Sequence, residues 1–260
     1  MTLLSRSEKH MIEGIKNKDE KSFHIFYNKN YNFLYYVVLK IVKNREDTEV
    51  WDEPFYAHYL FETKKEHPLH KEIIEVYETD LRKLIMKIKD LELEDGIFYL
   101  KQMTHHMLPS IPLDWCLNHK NCILIRNPKE VINSYAQKNE ILNIQDIGFY
   151  EQYEIYNYFL NNKIQCPIVD SKDILINPEK SLKSLCEILG INFSPNMIRW
   201  PKGKRDSDGI WESHWYQNVQ QSTGFTPYHE KDITIPDLYK DLLDDCMNIY
   251  DELYRSKINF

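Results

Sequence analysis

Cys122-Ile-Leu-Ile-Arg-Asn-Pro-Lys-Glu-Val-Ile-Asn-Ser-Tyr135 is the stretch that decides the fold. Cys122 to Ile125 is a short apolar run with β-branched residues, as in a buried strand. Arg126 ends that run. Asn127 is suited to cap a helix, and Pro128 suits its first position, where the missing N–H would have no partner anyway. Val131, Ile132 and Tyr135 then recur at helical spacing. The stretch therefore reads as a strand, a tight turn and a helix, with a guanidinium on the turn. In open α/β sheets ligands bind at the carboxyl ends of strands. An Arg there, beside a helix N-terminus, offers a forked donor to an anion. Ser134, about two turns into the helix, adds a hydroxyl. A plainer alternative pairs Arg126 with a carboxylate and packs Ser134 away, and a single strand-Arg-helix turn does not decide between them.

Working outward, the chain of 260 residues suits one large α/β domain, and its 42% hydrophobic content supplies a core. We expect a polar arm over residues 1–21 and one domain over residues 22–260. A net charge of −7 disfavours general nucleic-acid binding, so any polyanion site must be local. The five cysteines (116, 122, 166, 186 and 246) are scattered and form no CxxC pair. That pattern suggests reduced thiols in a cytoplasmic protein and no zinc site. Met1 to His10 lacks the apolar core of a secretory leader, and the longest apolar run, Phe33 to Leu39, is too short for a membrane span.

The first half of the chain carries two dense segments. Ser22 to Tyr27 reads as a strand, Asn28 to Asn32 as a loop, and Phe33 to Lys43 as a buried helix. That is the layout of a phosphate-binding loop, but the chemistry is missing. Such a loop needs Gly for close backbone approach, then Lys or Arg, then Ser or Thr. No Gly occurs between Gly14 and Gly96, and Lys29 is the only nearby cation. Next, Val50-Trp51 ends a strand and Asp52-Glu53-Pro54 places two carboxylates at its end, with Pro54 keeping Glu53 out of a helix. Tyr56 and Tyr59 are placed to flank a ligand. The alternative is a solvated acidic turn. His67 to Leu93 reads as one long amphipathic helix whose stripe (Ile74, Tyr77, Leu81, Leu84 or Ile85, Ile88) packs in the core and carries no chemistry.

Ile97 to Leu100 is a strand ending in Lys101, followed by Thr104-His105-His106 and Pro109. Adjacent histidines in a strand diverge, and in a helix stand about 100° apart, so the two do not readily share one metal. Leu113 to His119 reads as a short helix and Gln145 to Asn161 as another. Cys166 to Val169 is a strand with Asp170 to Asp173 as its loop. Asn177 caps and Pro178 starts a helix that Gly190 closes. Arg199-Trp-Pro-Lys-Gly-Lys-Arg205 is the densest cationic run in this acidic chain, a loop able to close over a polyphosphate or simply to be solvated. His214 to Phe225 is aromatic and polar, suited to wall an acceptor site. Asp237 to Tyr254 is a terminal amphipathic helix.

Taken together, these segments resemble the sulfotransferases, over roughly Thr48 to Phe225. Lys101, Thr104, His105 and Pro109 match the family's Lys-Thr-His-Leu-Pro stretch loosely, at nearly the family's spacing to Arg126. Arg126-Asn-Pro-Lys-Glu-Val-Ile-Asn-Ser134-Tyr looks like its 3′-phosphate segment, and Lys202-Gly203-Lys204 with Trp211 looks like its Lys-Gly…Trp clamp. Asp52-Glu53-Pro-Phe-Tyr56 resembles a signature of one subgroup. The resemblance implies a P-loop-like α/β fold, a three-layer sandwich with a central, mostly parallel sheet and helices on both faces. It implies 3′-phosphoadenosine 5′-phosphosulfate (PAPS) as donor, a small-molecule hydroxyl or amine as acceptor, and no metal. Arg126 and Ser134 would hold the 3′-phosphate, with Lys202, Gly203 and Lys204 closing over it and Trp200 rather than Trp211 on the adenine. His105 would be the general base, with His106 and Glu53 as alternatives. Lys101, backed by Lys29, would stabilise the leaving phosphate. The departure is the first loop, where Asn30 to Tyr36 stands in the place of the family's basic and Ser/Thr residues. Three explanations stand open: a different grip on the 5′ end, an impaired relative that binds nucleotide or partner without catalysis, or an aberrant N-terminal reading frame. A nucleotide-dependent kinase is a further alternative, disfavoured by the missing Gly-Lys-Ser/Thr.

Overall fold

The protein is described by a computed structural model over residues 45–91, 96–136, 141, 143–216 and 220–260. The expected polar arm, first strand, first loop with Lys29 and buried helix lie outside the described residues.

Strands β1 (Thr48–Asp52) and β2 (Ile97–Lys101) pair in parallel, with Asp52 opposite Lys101. Strands β3 (Ile123–Ile125) and β4 (Ile168–Asp170) form a second parallel pair, with Ile125 opposite Asp170. Parallel pairing needs crossovers, and helices supply them here. Between β1 and β2 run α1 (Tyr56–Thr63), α2 (His70–Val76) and α3 (Leu81–Lys89). Between β3 and β4 run α4 (Pro128–Tyr135) and α5 (Phe149–Asn161). After β4 come α6 (Ser171–Ile176), α7 (Pro178–Leu189), the short α8 (Glu212–Trp215) and the terminal α9 (Lys240–Arg255). The α/β character and the parallel strands are as the sequence predicts.

The opening stretch folds as read. Asn127 caps α4 by accepting from the Lys129 N–H at 2.9 Å, and Pro128 is its first residue. Asn177 caps α7 in the same way, and Gly190 closes it at φ 66°, where a Cβ would be strained. Two expectations need correction. His67 to Leu93 is not one helix: α2 ends at Val76, Tyr77 is extended, and Asp80 caps α3 by accepting from the Lys83 N–H. Asp170 to Asp173 is not a loop, because Asp170 accepts from the Lys172 N–H and starts α6. In both places a short side-chain acceptor satisfies an otherwise orphaned N–H, and a new helix begins there.

Ile123, Ile125, Ile132, Ile168, Cys246 and Leu253 bury the inner faces of β3, β4, α4 and α9 in one cluster. Phe55, Leu84, Ile88, Trp115 and Phe159 form another beneath β1 and β2. Of the expected helical stripe, Leu84 and Ile88 are buried as read, but the buried residue of α2 is Ile73 rather than Ile74. Among the described residues no helix is long and apolar enough to cross a membrane.

Candidate active site

β1 and β2 end side by side, and the pairing runs one residue further, with the Glu53 N–H donating to the Lys101 carbonyl at 2.9 Å. Glu53 lies at φ 50°, in the left-handed region that non-glycine residues rarely occupy. Strain of this kind persists only where the surroundings hold it. Here they do: Lys101 Nζ pairs with the Glu53 carboxylate and lies 3.7 Å from Asp52 Oδ1. Asp52, Glu53 and Lys101 are 4%, 8% and 5% exposed, which overturns the solvated-turn reading. Such burial makes the group a committed ion cluster rather than a surface pair. Lys101, expected to stabilise a leaving phosphate, spends its charge on these two carboxylates.

Beyond β2, Thr104, His105 and His106 form a 3₁₀ turn, fixed by a bond from Thr104 Oγ1 to the Gly148 carbonyl at 2.9 Å. The two imidazoles lie 4.2 Å apart, edge to face. His106 stacks on Tyr56 at 4.4 Å, nearly parallel, and meets Tyr59 at 4.6 Å. The Tyr56 hydroxyl is 2.9 Å from His67 Nδ1. Burial, reinforced by the neighbouring cations and imidazoles, pushes His105 down to about 3 and holds His106 well below the ordinary imidazole range. Both are neutral at pH 7. Glu53 Oε2 approaches His106 Nδ1 to 3.3 Å, but without the alignment of a hydrogen bond. Among the described residues Nδ1 of His105, Nδ1 of His106 and both amide atoms of Gln102 are buried without a hydrogen-bond partner.

A second set adjoins the histidines. Lys65 pairs with Asp146 at 2.6 Å and sits 5.7 Å from the Tyr59 ring. Burial pushes the Glu151 carboxyl up to about 7, against the pull of Lys65. Gly148, at φ 73°, carries the turn between the Ile144–Ile147 3₁₀ helix and α5, and a Cβ there would fall 2.5 Å from Thr104 Oγ1 and 2.7 Å from the His105 nitrogen. We expect Gly148→Ala to destabilise by about 2 kcal/mol or more, since the left-handed backbone alone costs about 1–2 kcal/mol. Urea unfolding measures this, and an unchanged midpoint would mean that the His105 turn is free to shift.

The residues expected to hold the donor lie on the β3 side. Arg126 points its Nε and Nη2 at Glu130 Oε2, both at 2.9 Å, so the carboxylate partner of the plainer alternative exists. Its Nη1 is engaged by no described residue. Ser134 is buried on α4. Lys202 and Gly203 belong to a hairpin: the Gly203 N–H donates to the Gln220 carbonyl at 2.8 Å, and Trp200 N–H to Thr223 at 3.1 Å. Gly203 adopts φ 110°, and the Lys204 ammonium is well exposed, 4.0 Å from Glu212. Trp200 is buried against Phe225, its indole donating to Ser222. Trp211 is buried, its ring edge-on to Tyr56 at 5.2 Å. The site also recruits His67, Asp146, Gly148 and Tyr216, which the sequence reading left aside. Of these only Tyr216 lay in a stretch marked for a site. No group able to hold a metal occurs among the described residues.

The sulfotransferase domain family matches residues 28–257. The chain belongs to this family. Two curated relatives from Arabidopsis thaliana, branched-chain-amino-acid aminotransferase-like proteins 2 and 1, are 31% identical over 209 and 212 residues, covering 80% of this chain in each case. The chain spans only 37% and 38% of the length of those two relatives. Among solved structures, a sulfotransferase domain from the curacin biosynthetic pathway is similar at 16% identity and a TM-score of 0.36, over 78% of this chain and 72% of that one.

Proposed function

We propose that this sulfotransferase-family protein takes PAPS as donor and transfers its sulfuryl group to a hydroxyl or amine of a small-molecule acceptor. The observation that carries the reading is the buried, neutral His105–His106 pair, with unsatisfied ring nitrogens beside the Asp52–Glu53–Lys101 cluster at the strand ends. When bound, PAPS supplies an activated sulfuryl group that needs no metal.

The residues present fit the 3′-phosphate half of such a donor. Arg126 stands beside the N-terminus of α4 with no described residue on its Nη1, Ser134 lies on the same helix, and Lys202 and Lys204 add positive charge on a Gly203-containing hairpin. The segment expected to grip the 5′ end lies outside the described residues. On the acceptor side, His105 serves as general base through Nδ1, which among the described residues has no hydrogen-bond partner and so is open to an acceptor's proton. Glu53 is the less suitable base because Lys101 already holds its carboxylate. Tyr56 and Tyr59 pack the ring of His106. The many aromatic rings here suit an acceptor with an apolar or ring-shaped body.

Titration calorimetry with adenosine 3′,5′-bisphosphate tests this directly. We expect the wild type to bind, and Arg126→Ala to weaken binding by more than tenfold, about 1.4 kcal/mol. ATP is the control. Binding of ATP alone supports a kinase, and no binding of either leaves a non-catalytic relative.

A further inference from the structure

The cationic hairpin is held at both ends. Near its base, residues 199–203 and 220–224 form antiparallel rungs, Arg199 opposite Gly224 and Gly203 bonded to Gln220. Past Gly203 the chain leaves through Lys204 and loops across to α1 and α2. There the Ile210 N–H donates to the Tyr77 hydroxyl at 3.1 Å. The Trp211 ring packs into the aromatic layer, 5.2 Å from Tyr77. Gly209 must lack a side chain, since a Cβ would fall 2.2 Å from the Trp211 ring. One hydroxyl closes the arrangement: Tyr216, 3% exposed, accepts from the Trp211 indole N–H at 3.1 Å and donates to Asp52 Oδ2 at 2.5 Å. Asp52 is the carboxylate that Lys101 faces at 3.7 Å.

We propose that Tyr216 is a positioning residue that buckles the cationic hairpin to the ion cluster at the end of β1, so that the strength of phosphate binding on Lys204 depends on Asp52. The proposal rests on the PAPS reading for the identity of the phosphate ligand, but the buckle itself does not. A short bond from a buried hydroxyl to a carboxylate is charge-assisted, and one that also accepts from an indole is strengthened by the chain it belongs to. Removing the hydroxyl leaves the rungs at the base intact and frees the far limb of the hairpin. Lys202 stays within the rungs, whereas Lys204, past Gly203, then has to be ordered at the moment of binding, which weakens it.

The test compares wild type with Tyr216→Phe, Asp52→Asn and the double variant in two assays. Trypsin, which cuts after Lys202, Lys204 and Arg205, reads the freedom of the hairpin. Adenosine 3′,5′-bisphosphate affinity reads its effect on binding. We expect Tyr216→Phe to be cut at least threefold faster in this segment and to bind three- to tenfold more weakly, with the double variant no weaker than the weaker single. Native cutting rates in Tyr216→Phe overturn the buckle, and faster cutting with native affinity overturns its role in binding. Additive losses in the double variant overturn the dependence on Asp52. If the wild type ignores the bisphosphate, the PAPS reading fails, while the trypsin comparison still decides the buckle. Should Tyr216→Phe not fold, Asp52→Asn, which removes the charge from the same bond, decides both assays in its place.

Discussion

Lys101→Met will cost the protein about 3–5 kcal/mol of stability, the range for removing one partner of a buried ion pair. The variant keeps the length and apolar stem of the side chain, so packing against β1 is nearly preserved. What changes is charge. Asp52 and Glu53 are both buried, and Lys101 is the cation between them. With it gone, two carboxylates face each other in a place water does not reach. Glu53 also sits at φ 50°, a conformation held by the pairing of its backbone with Lys101 and by the ion pair. The urea midpoint of unfolding reads the loss. Adding Glu53→Gln to Lys101→Met should recover part of it, because only one carboxylate, Asp52, is then buried without the charge of Lys101. A double variant as unstable as the single would mean that the cost lies in packing and not in charge, and the cluster would then lose its special status.

The strand ends were legible because their signals are local. An apolar run, an Arg, an Asn-Pro cap and a helical period all fall within fourteen residues, and the chain folds there as its neighbours dictate. The break between α2 and α3 was written too: Asp80 is an acceptable cap. It was overridden because Ile74, Tyr77 and Leu81 happen to continue one helical spacing through the extended segment. Asp170 was misread for the opposite reason, since a cap and a loop residue look alike until the helix after it is known. The candidate site was half legible. His105, His106, Glu53 and Lys101 stand out by type and place, but that the carboxylates would be buried depends on what covers them. That cover includes Tyr216, 164 residues further along from Asp52, and no periodicity relates two such positions. His67 was absorbed into a helix that does not exist, and its bond to Tyr56 follows from a turn that the helix reading removed. Long-range pairing of this kind is fixed by topology, which the sequence states only through the whole fold.

The histidine cluster also makes the protein acid-labile well above the range where carboxylates titrate. Burial pushes His105 down to about 3 and His67 to about 4, and holds His106 well below its ordinary value. Unfolded, each titrates near 6.5. Below that pH the unfolded chain takes up protons that the folded chain refuses, so stability is fully present above about pH 6.5 and is lost on acidification toward the folded values. Each such group contributes a slope approaching 1.4 kcal/mol per pH unit, or about 4 kcal/mol per unit for three. Two carboxyls work the other way, Glu151 and Asp170, both raised by burial. Glu151 is raised to about 7, so the folded chain binds a proton between its unfolded value and 7 that the unfolded chain has released, and this offsets one of the three. The net is at most about two protons, no more than about 3 kcal/mol per pH unit near pH 5.5, still a large share of a stability that is typically 5–15 kcal/mol. Urea unfolding at pH 7.5, 6.5 and 5.5 measures the slope. His105→Asn should remove one proton's worth of it while leaving the rest, whereas a stability that stays level from pH 7.5 to 5.5 would mean that the imidazoles reach water, and with it the buried, neutral pair on which the proposed chemistry depends would be lost.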